Sequence, residues 1–191
     1  EQHDDLSISL LLGDSISDFY TERVDLAIRY GALKDSSMVA LKLASVDGVL
    51  CAAPEYLATH GAPADLADLK QHNCLMYQNN DRLNDVWEFT SHSDTEPKDR
   101  KIRVSSNRTS NDSDVVRRWA IAGKGIVYKS VLDMADDLSA GRVVRILPQY
   151  QVKKVDLNLV FPTRRQITPA ALILRDILKD RFSDILRDTQ C

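Results

Sequence analysis

Cysteine is scarce in this sequence and is not arranged for a disulfide framework or a metal site. The cysteines are Cys51, Cys74 and Cys191, an odd number at wide spacing with no C-x-x-C pair. Such spacing favours free thiols in a reducing compartment over disulfides. The histidines are His3, His60, His72 and His92. None of them lies in a metal-ligand spacing such as H-E-x-x-H, so we interpret them as surface or loop residues and expect neither a metal nor a cofactor.

Long apolar runs and basic blocks are also lacking. No run approaches the roughly 20 apolar residues that span a bilayer, and the charged start E-Q-H-D-D is unlike a signal peptide. We therefore expect a cytoplasmic protein without a membrane partner. The 25 basic and 28 acidic residues give a net charge of −3, and the basic residues are dispersed. The chain as given thus has no electrostatic footprint for nucleic acid.

Catalytic signatures are missing as well. The sequence has no G-x-S-x-G elbow, P-loop or G-x-G-x-x-G, and G-K-G at 123–125 lacks the spacing of a phosphate loop. His72 and Cys74 are two apart and would share a strand face, but nucleophilic catalysis also needs an orienting partner and an oxyanion site. We expect no catalytic residues and no enzyme activity. Trp87 and Trp119 are interpreted as core residues rather than stacking platforms, because neither has aromatic neighbours at useful spacing.

Hydrophobic patterning predicts an α/β protein, and its 191 residues are enough for one domain or two small lobes. Apolar alternation and short apolar runs predict strands at 6–12, 24–30, 38–43, 49–53, 74–77, 86–89, 102–106, 126–128, 143–147 and 155–161. Helical spacing and capping residues predict helices at 14–22, at 113–122 before a stop at Gly123, and at 131–138 after the cap Ser130, and a long final helix from Thr168-Pro169. Because strands alternate with helices, we expect parallel sheets covered by helices, except for a small antiparallel hairpin around 86–89.

The stretch from Ser110 to Tyr128 places a polar loop before a helix and a buried strand. Asn111, Asp112 and Ser113 carry short oxygen-bearing side chains of the kind that cap helices. In α/β proteins, loops that open a helix are frequent ligand sites. The three residues are therefore candidate ligand contacts and candidate caps, because a cap and a ligand compete for the same N–H groups.

Three further polar residues lie near the ends of predicted strands. Arg29 alternates with Ile28 and Tyr30 and so points to the other face of its strand, as a cation in a cleft or as a salt-bridged residue. Asp14 and Ser15 follow the first predicted strand, where ligands bind in open α/β folds. The same two residues could instead cap the helix that follows.

Several segments resemble, in order, those of the effector-binding domain of LysR-type transcriptional regulators. V-D-L-A-I-R-Y-G at 24–31 resembles a signature usually read D-L-A-I-R, and N-D-S-D-V-V-R-R-W-A-I-A-G-K-G-I-V at 111–127 resembles N-D-G, a helical run and A-G-x-G-I. The further segments are D-L-S-I-S-L-L-L-G-D, V-L-C-A-A-P-E-Y-L-A-T-H-G-A-P with D-L-K-Q-H-N-C-L, W-E-F, A-G-R-V-V-R-I-L-P and V-F-P-T-R-R-Q-I-T-P. Together they cover almost the whole chain.

The resemblance implies an α/β fold of two Rossmann-like lobes with type II periplasmic-binding-protein architecture. Lobe I would comprise 1–71 and 161–191, lobe II would comprise 72–160, and the chain would cross between them twice. The family's DNA-binding winged helix-turn-helix, its linker helix and the first strand and helix of lobe I are expected to precede Glu1 and to be absent from the sequence as given. The surface near 6–12 would lie at the family's dimer contact.

On this resemblance, the chain is a regulatory domain that binds a small metabolite in the cleft between its lobes, with a carboxylate as the class we consider. The effector contacts would be Asp14, Ser15, Arg29, Asn111, Asp112 and Ser113. The full protein would be a homodimer or tetramer that reaches promoter DNA through the missing N-terminal part. Two alternatives are an exported solute-binding protein of a transporter, which a signal peptide upstream would favour, and a small enzyme on the same two-lobed fold, which the lack of a nucleophile-base pair disfavours.

Overall fold

The structure is a computed structural model that describes residues 7–13, 24–31, 38–79, 82–91 and 99–189. Its strands are β1 (Ala27–Tyr30), β2 (Val39–Val46), β3 (Gly48–Ala52), β4 (Cys74–Asn79), β5 (Arg82–Leu83), β6 (Val86–Ser91), β7 (Asp99–Arg103), β8 (Thr109–Ser110), β9 (Ile126–Ser130), β10 (Val144–Arg145), β11 (Tyr150–Val152) and β12 (Val155–Phe161). Its α-helices are α1 (Pro54–His60), α2 (Ser113–Ile121), α3 (Val131–Ser139) and α4 (Pro169–Asp188), with short 3-10 turns at Asp68–Gln71 and Arg164–Gln166.

The first sheet has the strand order β1-β12-β2, and both pairings are antiparallel. Leu157, Leu159 and Phe161 alternate along β12 and are at most 3% exposed. They form a core cluster with Ala171 at the start of α4, against which Leu178 and Phe182 also pack. The alternation that predicts β12 in the sequence therefore supplies the buried face on which the long final helix lies.

The second sheet has the order β10-β3-β9-β4-β5, with β8 paired to β4. One face carries a cluster that includes Val116 and Ala120 of α2 and Val131 and Met134 of α3. The other face carries a cluster with Trp87 and Phe89, which are 1% and 2% exposed. Helices α2 and α3 thus cover one face of this six-stranded sheet, whereas Tyr56 of α1 packs in the cluster on the other face.

A small antiparallel sheet of order β11-β6-β7 covers the other face. The Tyr128 ring of β9 stacks on Trp87 at 5.4 Å between ring centroids and meets Phe89 edge-on at 5.7 Å. The Tyr128 hydroxyl donates to the carbonyl oxygen of Glu88 at 3.2 Å. The antiparallel pairing of β6 with β7 confirms the predicted hairpin around 86–89, and the burial of Trp87 confirms its interpretation as a core residue.

The chain passes from one sheet to the other at two adjacent points. β2 and β3 belong to different sheets and are separated by Asp47 alone, and the chain returns through Lys153 and Lys154 between β11 and β12. Lys154 Nζ lies 3.3 Å from a carboxylate oxygen of Asp47. A Cβ on Gly48 would lie 2.2 Å from Val152 Cγ1, so the two crossings meet closely enough to require glycine.

Local sequence signals account for the helix starts. The side chains of Asp112, Ser130 and Thr168 cap α2, α3 and α4 respectively, each accepting from backbone N–H groups of the first turn. Pro169 follows at the first position of α4, where its missing N–H costs nothing. After α2, Gly123 adopts φ of +67°, a left-handed conformation that ends the helix as its sequence predicts.

Strand direction differs from the prediction. Of the described pairings, those of β4 with β8 and with β9 are parallel, and the remaining seven are antiparallel. The expectation of parallel sheets is therefore wrong for most strands. Strand direction depends on which strand becomes the neighbour. Here β12, which follows β2 by more than a hundred residues, inserts between β1 and β2 and runs antiparallel to both.

The predicted strand at 6–12 is also absent from the described part, residues 7–13. These residues form no regular secondary structure and are exposed, with Leu10 and Leu12 at 75% and 87%. Alternation alone does not make a strand, because the backbone groups also need a hydrogen-bonding neighbour. The helix predicted at 14–22 lies outside the described residues. Near 102–106 the strand lies earlier than predicted, at β7, and near 143–147 it is shorter, at β10.

Candidate functional site

The ends of several elements meet where the chain passes from one sheet to the other. β4 and β9 run parallel, so their carboxyl ends lie at the same edge of the six-stranded sheet, and α3 begins directly after β9. The first sheet contributes the end of β1 at Tyr30. We use the term cleft cluster for Tyr30, Ser113, Lys129, Ser130 and Asp133. Lys129 contacts Ser113 and Asp133, and the neighbouring Ser130 contacts Tyr30 of the first sheet.

Lys129 is the central residue of the cleft cluster. Its side chain is only 7% exposed, and its Nζ donates to both the carbonyl oxygen of Ser113 at 3.0 Å and the Ser113 hydroxyl. A carboxylate oxygen of Asp133 lies 3.2 Å away. A buried ammonium group is costly unless it is paired and hydrogen-bonded, and here it holds the first turn of α2 against the first turn of α3.

Tyr30 connects the first sheet to the start of α3. Its hydroxyl lies 3.1 Å from Ser130 Oγ, and the same Ser130 oxygen accepts from Leu132 N at 3.1 Å as the helix cap. Tyr30 as a whole is 46% exposed, but its hydroxyl end is desolvated. This desolvation, together with the negative charge of Asp133, raises the pKa of Tyr30 to about 12. The group is therefore a neutral hydroxyl that can donate or accept near neutral pH.

Of the predicted residues at 111–113, Asp112 forms the helix cap. One of its carboxylate oxygens accepts from Asp114 N at 2.8 Å and from Val115 N at 3.1 Å. Two of the N–H groups that a ligand could use at the start of α2 are thus already taken. Asn111 is exposed beside it, whereas Ser113 turns inward to Lys129.

Arg29 lies in β1 opposite Asn158 of β12, and Tyr30 lies opposite Leu157. Directly opposed residues of an antiparallel pair share a sheet face, so Arg29 and Tyr30 point to opposite faces. Arg29 is partly buried on the face that it shares with Asn158, which is 8% exposed and donates to the Gly31 carbonyl at 2.9 Å. The Tyr30 hydroxyl, on the other face, makes the contact to Ser130 at the start of α3. Asp14 and Ser15 lie outside the described residues.

The members of the cleft cluster that sequence reasoning missed are Tyr30, Lys129 and Asp133, and Ser130 was predicted only as a cap. The sequence contains a weak signal for Lys129 and Ser130. Lys129-Ser130 ends an apolar strand and begins a helix, the same arrangement that pointed to 111–113. Tyr30 is a hundred positions away from Ser130, so only the fold brings the two hydroxyls together.

The cysteine and histidine that share a predicted strand face make separate contacts. The Cys74 thiol is buried and directed at the carbonyl oxygen of Leu69 at 3.5 Å, whereas His72 Nδ1 shares a hydrogen bond of 3.2 Å with the Tyr56 hydroxyl. Burial raises the pKa of Cys74 to about 12, so the thiolate is strongly disfavoured. Within the described ranges, no group of three or more His, Cys, Asp or Glu residues is placed to hold a metal ion.

These features define an α/β protein with two sheet systems, two adjacent crossings and polar helix starts at the junction. The LysR substrate binding domain family matches residues 1–183. The chain belongs to this family, and it is the effector-sensing regulatory domain of a LysR-type transcriptional regulator, with the type II periplasmic-binding-protein fold. The resemblance read from its sequence segments is thereby confirmed.

Two curated relatives from Escherichia coli K12 illustrate the match. The chain is 30% identical over 171 residues to the HTH-type transcriptional regulator DmlR, covering 90% of this chain and 54% of that protein. It is 26% identical over 185 residues to the HTH-type transcriptional activator AaeR, covering 97% and 58%. The chain thus spans about half the length of the curated relatives that it matches.

Solved structures show the same fold. The regulatory domain of CrgA from Neisseria meningitidis, a LysR-type transcriptional regulator, superposes with a TM-score of 0.72 at 26% identity, covering 87% of this chain and 81% of that one. Full-length AphB of Vibrio cholerae gives a TM-score of 0.74 at 21% identity, covering 95% and 59%. In the described part of the chain, no helix is both long and apolar enough to cross a membrane.

Proposed function

We propose that the domain senses a small polar metabolite, with carboxylates as the favoured class, at the junction of its two sheets. The observation that carries this proposal is the cleft cluster, in which the Tyr30 hydroxyl of the first sheet meets Ser130 at the start of α3, beside the buried Lys129. The earlier candidates Arg29 and Asn111–Ser113 stay predictions as effector contacts, as do Asp14 and Ser15.

The charges and hydroxyl groups of the cluster favour a small anion as its ligand. The hydroxyls of Tyr30 and Ser130 and the positive ends of α2 and α3 suit a carboxylate. The Lys129 ammonium adds a positive charge beside them, although its three donors face Ser113 and Asp133. Asp112 and Asp133 oppose it, because each places a negative charge at the same helix starts. We therefore expect weak binding by this chain, with Kd of about 1 mM, which corresponds to about −4 kcal/mol.

Binding would act on the relative position of the two sheets. A ligand that takes over the hydrogen bonds of Tyr30 or Ser130 replaces a direct link between β1 and α3, and the sheets can then move about the crossings at Asp47 and Lys153–Lys154. Such coupling requires that the ligand bind one arrangement more tightly than the other. We propose that the lobes divide at these crossings rather than at 71/72 and 160/161, because β3 pairs within the six-stranded sheet and β12 pairs with β1 and β2.

In the whole protein, we propose that this movement alters contacts with promoter DNA through an N-terminal DNA-binding domain. The relatives are named as HTH-type regulators, and the chain spans about half their length. We further propose a cytoplasmic homodimer or tetramer that acts as a sensor and not as a catalyst. The separate environments of His72 and Cys74 support the last point, since neither can activate the other.

The experiment is a thermal unfolding series of the 191-residue protein with small mono- and dicarboxylates and with their amides. Stabilisation of the native state by a ligand follows its concentration and Kd, so carboxylates should raise Tm where the amides do not. Lys129→Met should weaken the carboxylate effect about tenfold or more, because it removes the buried cation. Lys124→Met is the matched control, since Lys124 is exposed just before β9. Equal responses in the two variants would refute the proposed role of the cleft cluster in binding.

A further inference from the structure

A groove of about 410 Å³ lies beside β7, and none of its lining residues belongs to the cleft cluster. One side is formed by Leu66, Ala67 and Lys70, which lie in and before the 3-10 turn Asp68–Gln71. The other side is formed by residues 100–103 of β7. Leu66 and Ile102 are 5% and 8% exposed and give the groove an apolar floor.

The strand that forms this groove is a sheet edge. Among the described strands, β7 pairs with β6 alone, and β11 lies on the other side of β6. An edge strand has a row of backbone N–H and C=O groups that can pair with an additional extended chain. The groove is therefore bordered by backbone hydrogen-bonding groups as well as by side chains.

The side chains around the groove are basic. Its lining includes Lys70, Arg100, Lys101 and Arg103 and no acidic residue, in a chain whose net charge is −3. Two of these cations are paired, Lys101 with Glu88 at 2.5 Å and Arg103 with Asp85 at 3.2 Å. The Arg100 guanidinium lies 5.9 Å from the centroid of the Tyr150 ring. No carboxylate in the described ranges lies within ion-pair distance of Lys70 or Arg100.

We propose that the β7 edge binds an extended acidic peptide segment of a partner protein, which adds to the sheet as a further strand. Strand addition takes its affinity from backbone hydrogen bonds and its specificity from alternate side chains, and here alternate carboxylates would meet Lys70 and Arg100. Charged residues on an edge normally discourage pairing. Because these charges share one sign, they repel basic strands and select an acidic one.

A peptide fits the groove better than a nucleic acid does. No aromatic residue lines it, so it offers no platform on which bases could stack. Its cations are also partly neutralised by Glu88 and Asp85, and the chain as a whole is acidic. A phosphate backbone needs a wider positive surface than this.

The test is a fluorescence anisotropy titration of the 191-residue protein with a labelled peptide of about nine residues, the length of a long strand, in which Asp and Val alternate. We expect saturable binding that weakens with added salt. The version with Lys in place of Asp should not bind, and a version N-methylated on alternate residues should lose most binding, because it cannot form the strand hydrogen bonds. Equal binding of the N-methylated peptide would overturn strand addition.

Variants with reversed charges test whether the peptide binds in this groove. Lys70→Glu combined with Arg100→Glu should weaken binding about tenfold or more, and far-ultraviolet circular dichroism verifies that this variant is folded. Arg164→Glu combined with Arg165→Glu is the control, because it makes the same change of charge at two exposed residues of another turn. Equal weakening by both variants would show a general charge effect and overturn the proposal. A single-stranded oligonucleotide that displaces the peptide and loses affinity in the first variant would overturn it too.

Discussion

The buried carboxylate of Asp137 gives the sharpest test of how the two helices on the six-stranded sheet are held together. Asp137 of α3 is 0% exposed and accepts from Arg117 Nε of α2 and from Arg142 Nε, each at 2.6 Å. Arg117 also donates to Asp114 at 3.1 Å. A single carboxylate therefore holds two arginines on different elements, and its two oxygens are both used.

Asp137→Asn keeps the shape of the side chain but removes the charge and one acceptor. The amide can accept from one arginine only, and its NH₂ group then faces the other arginine as a second donor. Hydrogen bonds to charged groups contribute about 1.5–3 kcal/mol each, but the variant also avoids burying an anion. Because the side chains of Arg117 and Arg142 are 28% and 46% exposed and can still reach water, we expect a loss of about 2–4 kcal/mol in the free energy of unfolding.

The assay is urea denaturation, in which the midpoint should fall while the slope m stays unchanged. Asp136→Asn is the matched control, because Asp136 is the exposed neighbour on the same helix and its substitution should change stability by less than about 0.5 kcal/mol. If the two variants unfold at the same urea concentration, the Asp137 network does not hold α2 to α3 and the reasoning is wrong.

The crossing at Gly48, the two buried thiols and the start of α2 can each be tested separately. Gly48→Ala should destabilise the protein by about 1–3 kcal/mol, because its Cβ would lie 2.2 Å from Val152 Cγ1; Val152→Ala should restore part of this loss in a double-mutant cycle, and an additive result would contradict the contact. Burial raises the pKa of Cys51 and Cys74 to about 12, so a maleimide at neutral pH should label neither residue until urea is added, as judged by mass spectrometry. Hydrogen bonds from Arg118 and Arg117 lower the pKa of Asp114 below its usual 3.8. The stabilising contribution of Asp114 is therefore present above pH 3.8 and is lost as the pH falls through the lower pKa of the folded state. Asp114→Asn should flatten this part of the profile of stability against pH, and an unchanged profile would count against the pairing.

Local signals in the sequence predicted local structure well. Asp112, Ser130 and Thr168 begin helices as predicted, since a cap depends on side chains within a few residues of the helix start. Alternation predicted β12 and the hairpin strand with Trp87 and Phe89, because each has one buried face. The segments that resemble the LysR family, taken in their order along the chain, predicted the fold and the regulatory function.

Features that depend on contacts between distant parts of the chain could not be predicted from such local signals. Strand direction was predicted incorrectly, because it depends on which strands become neighbours. The burial of Lys129 was not predicted, because a lysine is normally exposed and this one is buried only through its contacts with Ser113 and Asp133 on two other elements. The same limit explains why Tyr30 was not predicted as a site residue, since its contact with Ser130 depends on where the fold places β1 and the start of α3.

We propose that a small carboxylate binds between the two sheets, beside Lys129 and the starts of α2 and α3. The most direct measurement is a nuclear magnetic resonance titration of the isotope-labelled 191-residue protein with small carboxylates, following the backbone amides of Gly31, Ser113 and Ser130. We predict saturable shifts of these amides together with those of Asn111 and Asp112, while the amides of Lys70 and Lys101 in the separate groove stay unchanged. Saturable shifts elsewhere, with the amides of Gly31, Ser113 and Ser130 unmoved, would contradict the claim.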